Sequence, residues 1–113
     1  MTGNIFPALI AGTLLCCGAA GAACNYPAEV SVPNGKTASE QQLAEASKTI
    51  NGYMEAMRAY QDCIDKEEAE LGDSATPEQK AMHVKKYNAS VDAMQTLAAR
   101  FNEELRAFKA RKK

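Results

Sequence analysis

The sequence predicts an all-α protein: an antiparallel, coiled-coil-like two-helix hairpin with an extended N-terminal segment strapped to the first helix, after a cleaved signal peptide. Three observations predict this fold. A charge-free segment opens the chain, and two long stretches then repeat apolar residues every seven positions, with only a short turn between them. Because the two stretches are similar in length and the turn is short, they are expected to pair antiparallel.

Residues 1–23 have the features of a signal peptide. The run from Ile5 to Cys17 is apolar, and the small residues from Gly18 to Ala23 suit a signal peptidase, although no Lys or Arg precedes the run. We expect cleavage just before or just after Ala23, and a periplasmic or secreted bacterial protein.

Two alternatives to an ordinary cleaved signal peptide stay open. An uncleaved anchor would need about 20 strongly apolar residues, whereas the second half of this segment is glycine and alanine. A lipoprotein would carry its acyl chains on Cys24, but Gly21 stands where a lipobox usually has leucine. The protein would contact a membrane only if Cys24 is lipidated.

Residues 24–36 are predicted to be extended. Pro27 and Pro33 exclude a helix, and Asn34-Gly35 favours a turn into the first helix. Every second residue from position 24 to position 32 is apolar, so an extended chain would present one apolar face, formed by Cys24, Tyr26, Ala28, Val30 and Val32.

The hairpin is predicted to fill residues 37–113, with its first helix over about 37–71. A capping box starts this helix, formed by Thr37 with Glu40 or by Ser39 with Gln42. Gly72 favours its end, and residues 72–76 form the turn. The predicted core positions are Leu43, Ala46, Ile50, Tyr53, Met57, Tyr60, Ile64 and Leu71.

The second helix is predicted over about 77–111. Thr76 is its cap, Pro77 its first residue and Gln79 the partner of the cap. Its apolar residues follow two heptad series, Val84, Val91, Ala98 and Leu105 in one, and Tyr87, Met94, Phe101 and Phe108 in the other. We expect both series to face the first helix.

Charge placement supports the antiparallel pairing. The acidic residues from Asp62 to Glu70 precede the turn, and Lys80, Lys85 and Lys86 follow it. Folding back brings the two groups alongside, where each surface ion pair contributes about 0.2–1 kcal/mol.

A row of small residues lies on the first helix, with Gly52, Ala56, Ala59 and Cys63 spaced four, three and four apart. We expect the N-terminal segment to run along this row and to be fixed by a disulfide between Cys24 and Cys63. The alternatives are a chance row on a solvated face, an intermolecular disulfide, or a lipidated Cys24 with Cys63 free.

The string P-x-x-V-x-V-P-N-G at residues 27–35, followed by Ala38, Ser39 and Tyr60-x-x-Cys63, resembles small exported proteobacterial proteins of uncharacterised function. The resemblance covers residues 24–64. It implies an envelope or secreted location and no assigned activity.

No catalytic, cofactor-binding or metal-binding residues are predicted. His83 is the single histidine and is expected to flank the helix contact without a partner. Methionines at core positions usually fill space, although Met57 or Met94 would serve as haem ligands if two hairpins formed a four-helix carrier.

The remaining expectation is a non-catalytic exported protein that acts through its helical surface, as an interaction, small assembly or chaperone-like module with an unknown protein partner. The formal net charge of −1 gives no electrostatic case for nucleic acid. Homodimerisation is also expected, because a lone hairpin leaves Met54 and Leu97 beside the contact between the helices.

Overall fold

The computed structural model describes residues 24–112, and the predicted signal peptide lies outside them. Two helices, α1 (Glu40–Leu71) and α2 (Pro77–Arg111), pack against each other as a hairpin, joined by one 3-10 turn over Gly72–Ser74. Neither helix is long and apolar enough to cross a membrane.

Helix α1 begins at Glu40, three residues later than the earliest predicted start. Asn34 causes the delay, because its carbonyl oxygen accepts from the amides of Thr37 and Ala38 at 3.1 and 2.8 Å and closes a turn there. Ser39 is the cap. Its Oγ accepts from the Gln42 amide at 3.1 Å, and Gln42 Oε1 accepts from the Ser39 amide at 2.8 Å.

The connection between the helices follows the predicted signals. Gly72 ends α1 with φ of 51°, a value that favours glycine because it carries no Cβ. Thr76 then caps α2 in a second capping box with Gln79, and Pro77 is the first helical residue.

One face of α1 supplies most of the core. Its buried residues are Leu43, Ala46, Ile50, Tyr53, Met57, Tyr60, Gln61 and Ile64. Leu71 is an exception to the prediction. It is 38% exposed because it is the last residue of α1, where the chain turns away.

The face of α2 that packs on α1 differs from the prediction by one residue. Val84 is 55% exposed, and Val91, Ala98 and Leu105 are only partly buried. The residues that contact α1 or the N-terminal segment instead stand one position earlier in the sequence. They are His83, Ser90, Leu97 and Glu104. The other predicted series, from Tyr87 to Phe108, packs in the core or at its edge.

Hydrogen bonding explains why the polar side chain of Ser90 lies inward. Ser90 is fully buried; its Oγ accepts from Gln61 Nε2 at 2.9 Å and donates to the Tyr87 carbonyl oxygen at 2.5 Å. No buried side-chain polar atom of residues 24–112 lacks a partner. Burial of these groups therefore costs little, whereas an unpaired polar group would cost about 1–3 kcal/mol.

We predict that Met57→Asp destabilises the hairpin by several kcal/mol, because Met57 is 0% exposed and its replacement would bury an unpaired carboxylate. The matched control is Ala56→Asp at the neighbouring, exposed position, which should cost only about 0.7 kcal/mol in helix propensity. Thermal unfolding followed by circular dichroism measures both. Equal melting temperatures for the two variants would contradict the assigned core face.

Candidate functional site

Residues 24–35, called the strap here, run back along the hairpin antiparallel to α1. At one end, the sulfurs of Cys24 and Cys63 lie at disulfide distance, with their Cα atoms 5.7 Å apart. Near the middle, Val30 and Val32 pack against the main core cluster. The strap therefore follows the groove between α1 and α2.

Three tyrosines line the first part of this contact. The ring of Tyr26 meets Tyr60 edge to face, with 5.1 Å between the ring centroids. Burial raises the pKa of Tyr53 and of Tyr60, and the nearby Tyr26 raises both further. Both phenols hold their protons more tightly here than in the unfolded chain, so their contribution to stability is lost as the pH rises above about 10.

The strap ends in a turn that is held by α2. The Gly35 amide donates to Glu104 Oε2 at 2.5 Å, and Arg111 donates to the carbonyl oxygens of Lys36 and Ala38. A Cβ at position 35 would collide with the backbone carbonyl of Glu104, so this close approach requires glycine. Glu104 and Arg111 were not expected to hold the turn, since nothing near them in sequence points to a partner about 70 residues away.

The position of the strap corrects one prediction. Gly52, Ala56 and Ala59 are exposed, and a Cβ on Gly52 would meet no atom within 4 Å. The strap instead lies over the larger apolar surface between the helices, where Val30 adjoins Tyr53 and Leu97. Of the predicted row, Cys63 is the residue that is joined to the strap.

Beyond Cys63 the same groove continues toward the turn without the strap. We call this part the tip groove; its apolar lining is Ile64, Leu71, Ala75 and Met82. Leu71 is 38% and Met82 49% exposed. Glu67, Glu68 and Lys86 stand at the polar rim. The tip groove is therefore an open, partly apolar concavity at the surface.

The tip has an excess of acidic residues. Residues 62–86, which form both helix ends at the tip, include seven acidic and four basic residues. The predicted pairing of this run with Lys80, Lys85 and Lys86 is wrong, because none of these lysines forms an ion pair in the described chain. Two of the seven acidic side chains, Asp65 and Glu68, instead contact His83, and the other five form no ion pair within residues 24–112.

His83 joins the helices at the tip, contrary to the prediction that it has no partner. Its Nε2 lies 2.8 Å from Asp65 Oδ1, and its Nδ1 lies 2.7 Å from Glu68 Oε2. Carboxylates accept hydrogen bonds, so both contacts are satisfied only when the ring carries two protons. The spacing of Asp65 and Glu68 places them on one face of α1. His83 reaches them only because α2 packs in a register shifted by one residue from the predicted one.

The remaining ligand-type residues are engaged in packing or in each other. Cys24, Cys63 and Glu67 bring their ligand atoms within 4.8 Å of one another, but the two sulfurs are at bonding distance and offer no free thiolate. Met57 is fully buried in the core, and Met94 Sδ accepts from Gln61 Nε2 at 3.6 Å.

Comparisons of the chain with protein-family models, curated proteins and solved structures found no match.

We predict that His83→Ala lowers the free energy of unfolding by about 1 kcal/mol, because it removes the contacts of the two ring nitrogens with Asp65 and Glu68 across the partly exposed tip. Lys85→Ala, at an exposed position on the same helix, is the control and should leave stability unchanged. Urea unfolding near neutral pH measures both variants. A His83→Ala protein as stable as the Lys85→Ala protein would show that the bridge contributes nothing.

Proposed function

We propose that this chain is an exported, non-catalytic interaction module of the bacterial cell envelope that binds a protein partner in the tip groove. The observation that carries this proposal is the continuity of the groove. Upstream of the tip, the groove holds the extended strap through Val30 and Val32. Past Cys63 the same groove is open, with Leu71 and Met82 exposed. An extended segment of another protein would therefore find the kind of surface that already binds one.

The charge of the tip indicates the chemistry of the partner. With seven acidic residues against four basic residues from 62 to 86, the tip has an acidic excess that favours a segment carrying Lys or Arg beside its apolar residues. The apolar side chains would cover Leu71 and Met82, and the basic ones would lie near Glu67.

An oxidised Cys24–Cys63 pair supports export. Closing a loop between residues 39 apart stabilises a fold by about 3–4 kcal/mol in the chain-entropy model, a large contribution for a hairpin of this size. Such bonds persist in oxidising compartments. The bond also competes with the lipoprotein alternative, because a disulfide and an acyl-carrying thioether would need the same sulfur of Cys24.

We predict that the protein recovered from the periplasm or medium begins at Ala23 or Cys24, because the small residues there suit signal peptidase. Intact mass spectrometry of the purified protein measures this terminus. A full-length chain confined to the cytoplasm would overturn the export proposal, and a terminus heavier by acyl chains would favour the lipoprotein.

We also predict that a photoreactive amino acid at position 82 forms a covalent adduct with a partner in the native envelope, since Met82 is half exposed in the tip groove. Mass spectrometry of the adduct should identify a linked segment that is apolar and basic. Leu71→Asp in the same chain should abolish the adduct.

The matched control places the same photoreactive residue at Ala99, an exposed position of α2 well away from the tip. Equal adducts from positions 82 and 99 would indicate nonspecific contact. That result, or no adduct at position 82, would refute the tip groove as the binding site.

A further inference from the structure

The shifted register of α2 leaves an apolar stripe that the hairpin buries only in part; Leu105, at one end of it, packs at the edge of the cluster of Ala38, Leu43 and Phe108. Val84 is 55% exposed, and Val91, Ala98 and Leu105 are half-buried at seven-residue spacing along the helix. Seven residues are nearly two helical turns, so the four side chains lie in one row about 31 Å long. We propose that two copies of the chain pair through this stripe as an antiparallel, two-fold symmetric dimer, which forms a four-helix bundle.

The composition of the row is that of an interface. The residues that alternate with the apolar ones along it, Asn88, Gln95 and Asn102, are exposed and uncharged. The row is therefore free of charge from Val84 to Leu105, although 24% of the whole chain is charged. Depletion of charge at the centre of a surface is the compositional mark of protein interfaces.

The strap leaves this side of the hairpin open. It packs on the side of α2 that carries Ala93 and Leu97, next to Val30. Val91 and Ala98 lie more than a quarter of a turn around the helix from Ala93, so residues 24–35 do not cover them. A second hairpin would bury the open side, as helix pairs do in four-helix bundles.

The charges at the two ends select the antiparallel orientation. Counting both helices, residues 62–86 at the turn end have seven acidic and four basic residues, and residues 36–50 and 100–113 at the other end together have eight basic and four acidic residues. Antiparallel pairing sets each acidic end beside a basic end, whereas parallel pairing would oppose like charges.

The position of the stripe agrees with that symmetry. The stripe spans residues 84–105 and α2 spans Pro77–Arg111, so both are centred at about residue 94. A two-fold axis at that point overlaps the two α2 helices along their full length and sets Val91 of one copy against Ala98 of the other. The contact closes on itself and forms no chain of copies.

The test measures the mass of the mature protein in solution by sedimentation equilibrium. The native protein should sediment as two chains, and the dimer should weaken at high salt because opposite charges attract across it. Ala98→Glu should raise the dimer dissociation constant about tenfold or more by placing a charge in the interface. The control variant Ala89→Glu, at an exposed position on the opposite side of α2 from Ala98, should leave it unchanged.

A cysteine crosslink then tests the orientation. Gln95→Cys lies beside the proposed axis and should form an interchain disulfide, whereas two copies of Val84→Cys would stand about 30 Å apart and should not. A single-chain mass for the native protein would overturn the proposal, as would equal effects of Ala98→Glu and Ala89→Glu. A self-crosslink at Val84→Cys would overturn the antiparallel arrangement.

Discussion

The attachment of the strap at both of its ends is the constraint on which the rest of this structure depends. At one end Cys24 lies at disulfide distance from Cys63 on α1, and at the other the Gly35 amide donates to Glu104 on α2. Because the two anchors lie on different helices, the strap ties the helices together while Val30 and Val32 cover the groove between them. A hairpin of this size buries little surface on its own, so such a tie contributes a large share of its stability.

The sequence predicted the hairpin and its helix ends because the signals for these are local. The capping boxes of Ser39 and Thr76 and the positive φ of Gly72 are decided within a few residues. Local signals do not decide which face of α2 packs on α1. Apolarity favoured Val84, yet Ser90 lies inward because Gln61 satisfies its hydroxyl from the opposite helix. The partners of His83 and Gly35 were invisible for the same reason, since each lies far away in the chain.

The polar contacts that turn α2 away from the predicted register also hold the observed register in place. Ser90 with Gln61, and His83 with Asp65, pair side chains that would lose their hydrogen bonds if α2 slid or rotated. Such pairs add less stability than apolar packing does, but they penalise alternative registers. Val84 is then exposed and Val91 and Ala98 stay partly exposed on one side of α2, while the tip groove opens on the other, so the chain has two separate candidate surfaces for partners.

Non-reducing peptide mapping of the mature protein, isolated from its native envelope with free thiols blocked at lysis, tests the central claim that the strap is covalently fixed on α1. We expect a peptide in which Cys24 is joined to Cys63 of the same chain, and no modified thiol at either position. Blocked thiols at both cysteines, an acyl group on Cys24, or a Cys24–Cys63 link between two chains would contradict it.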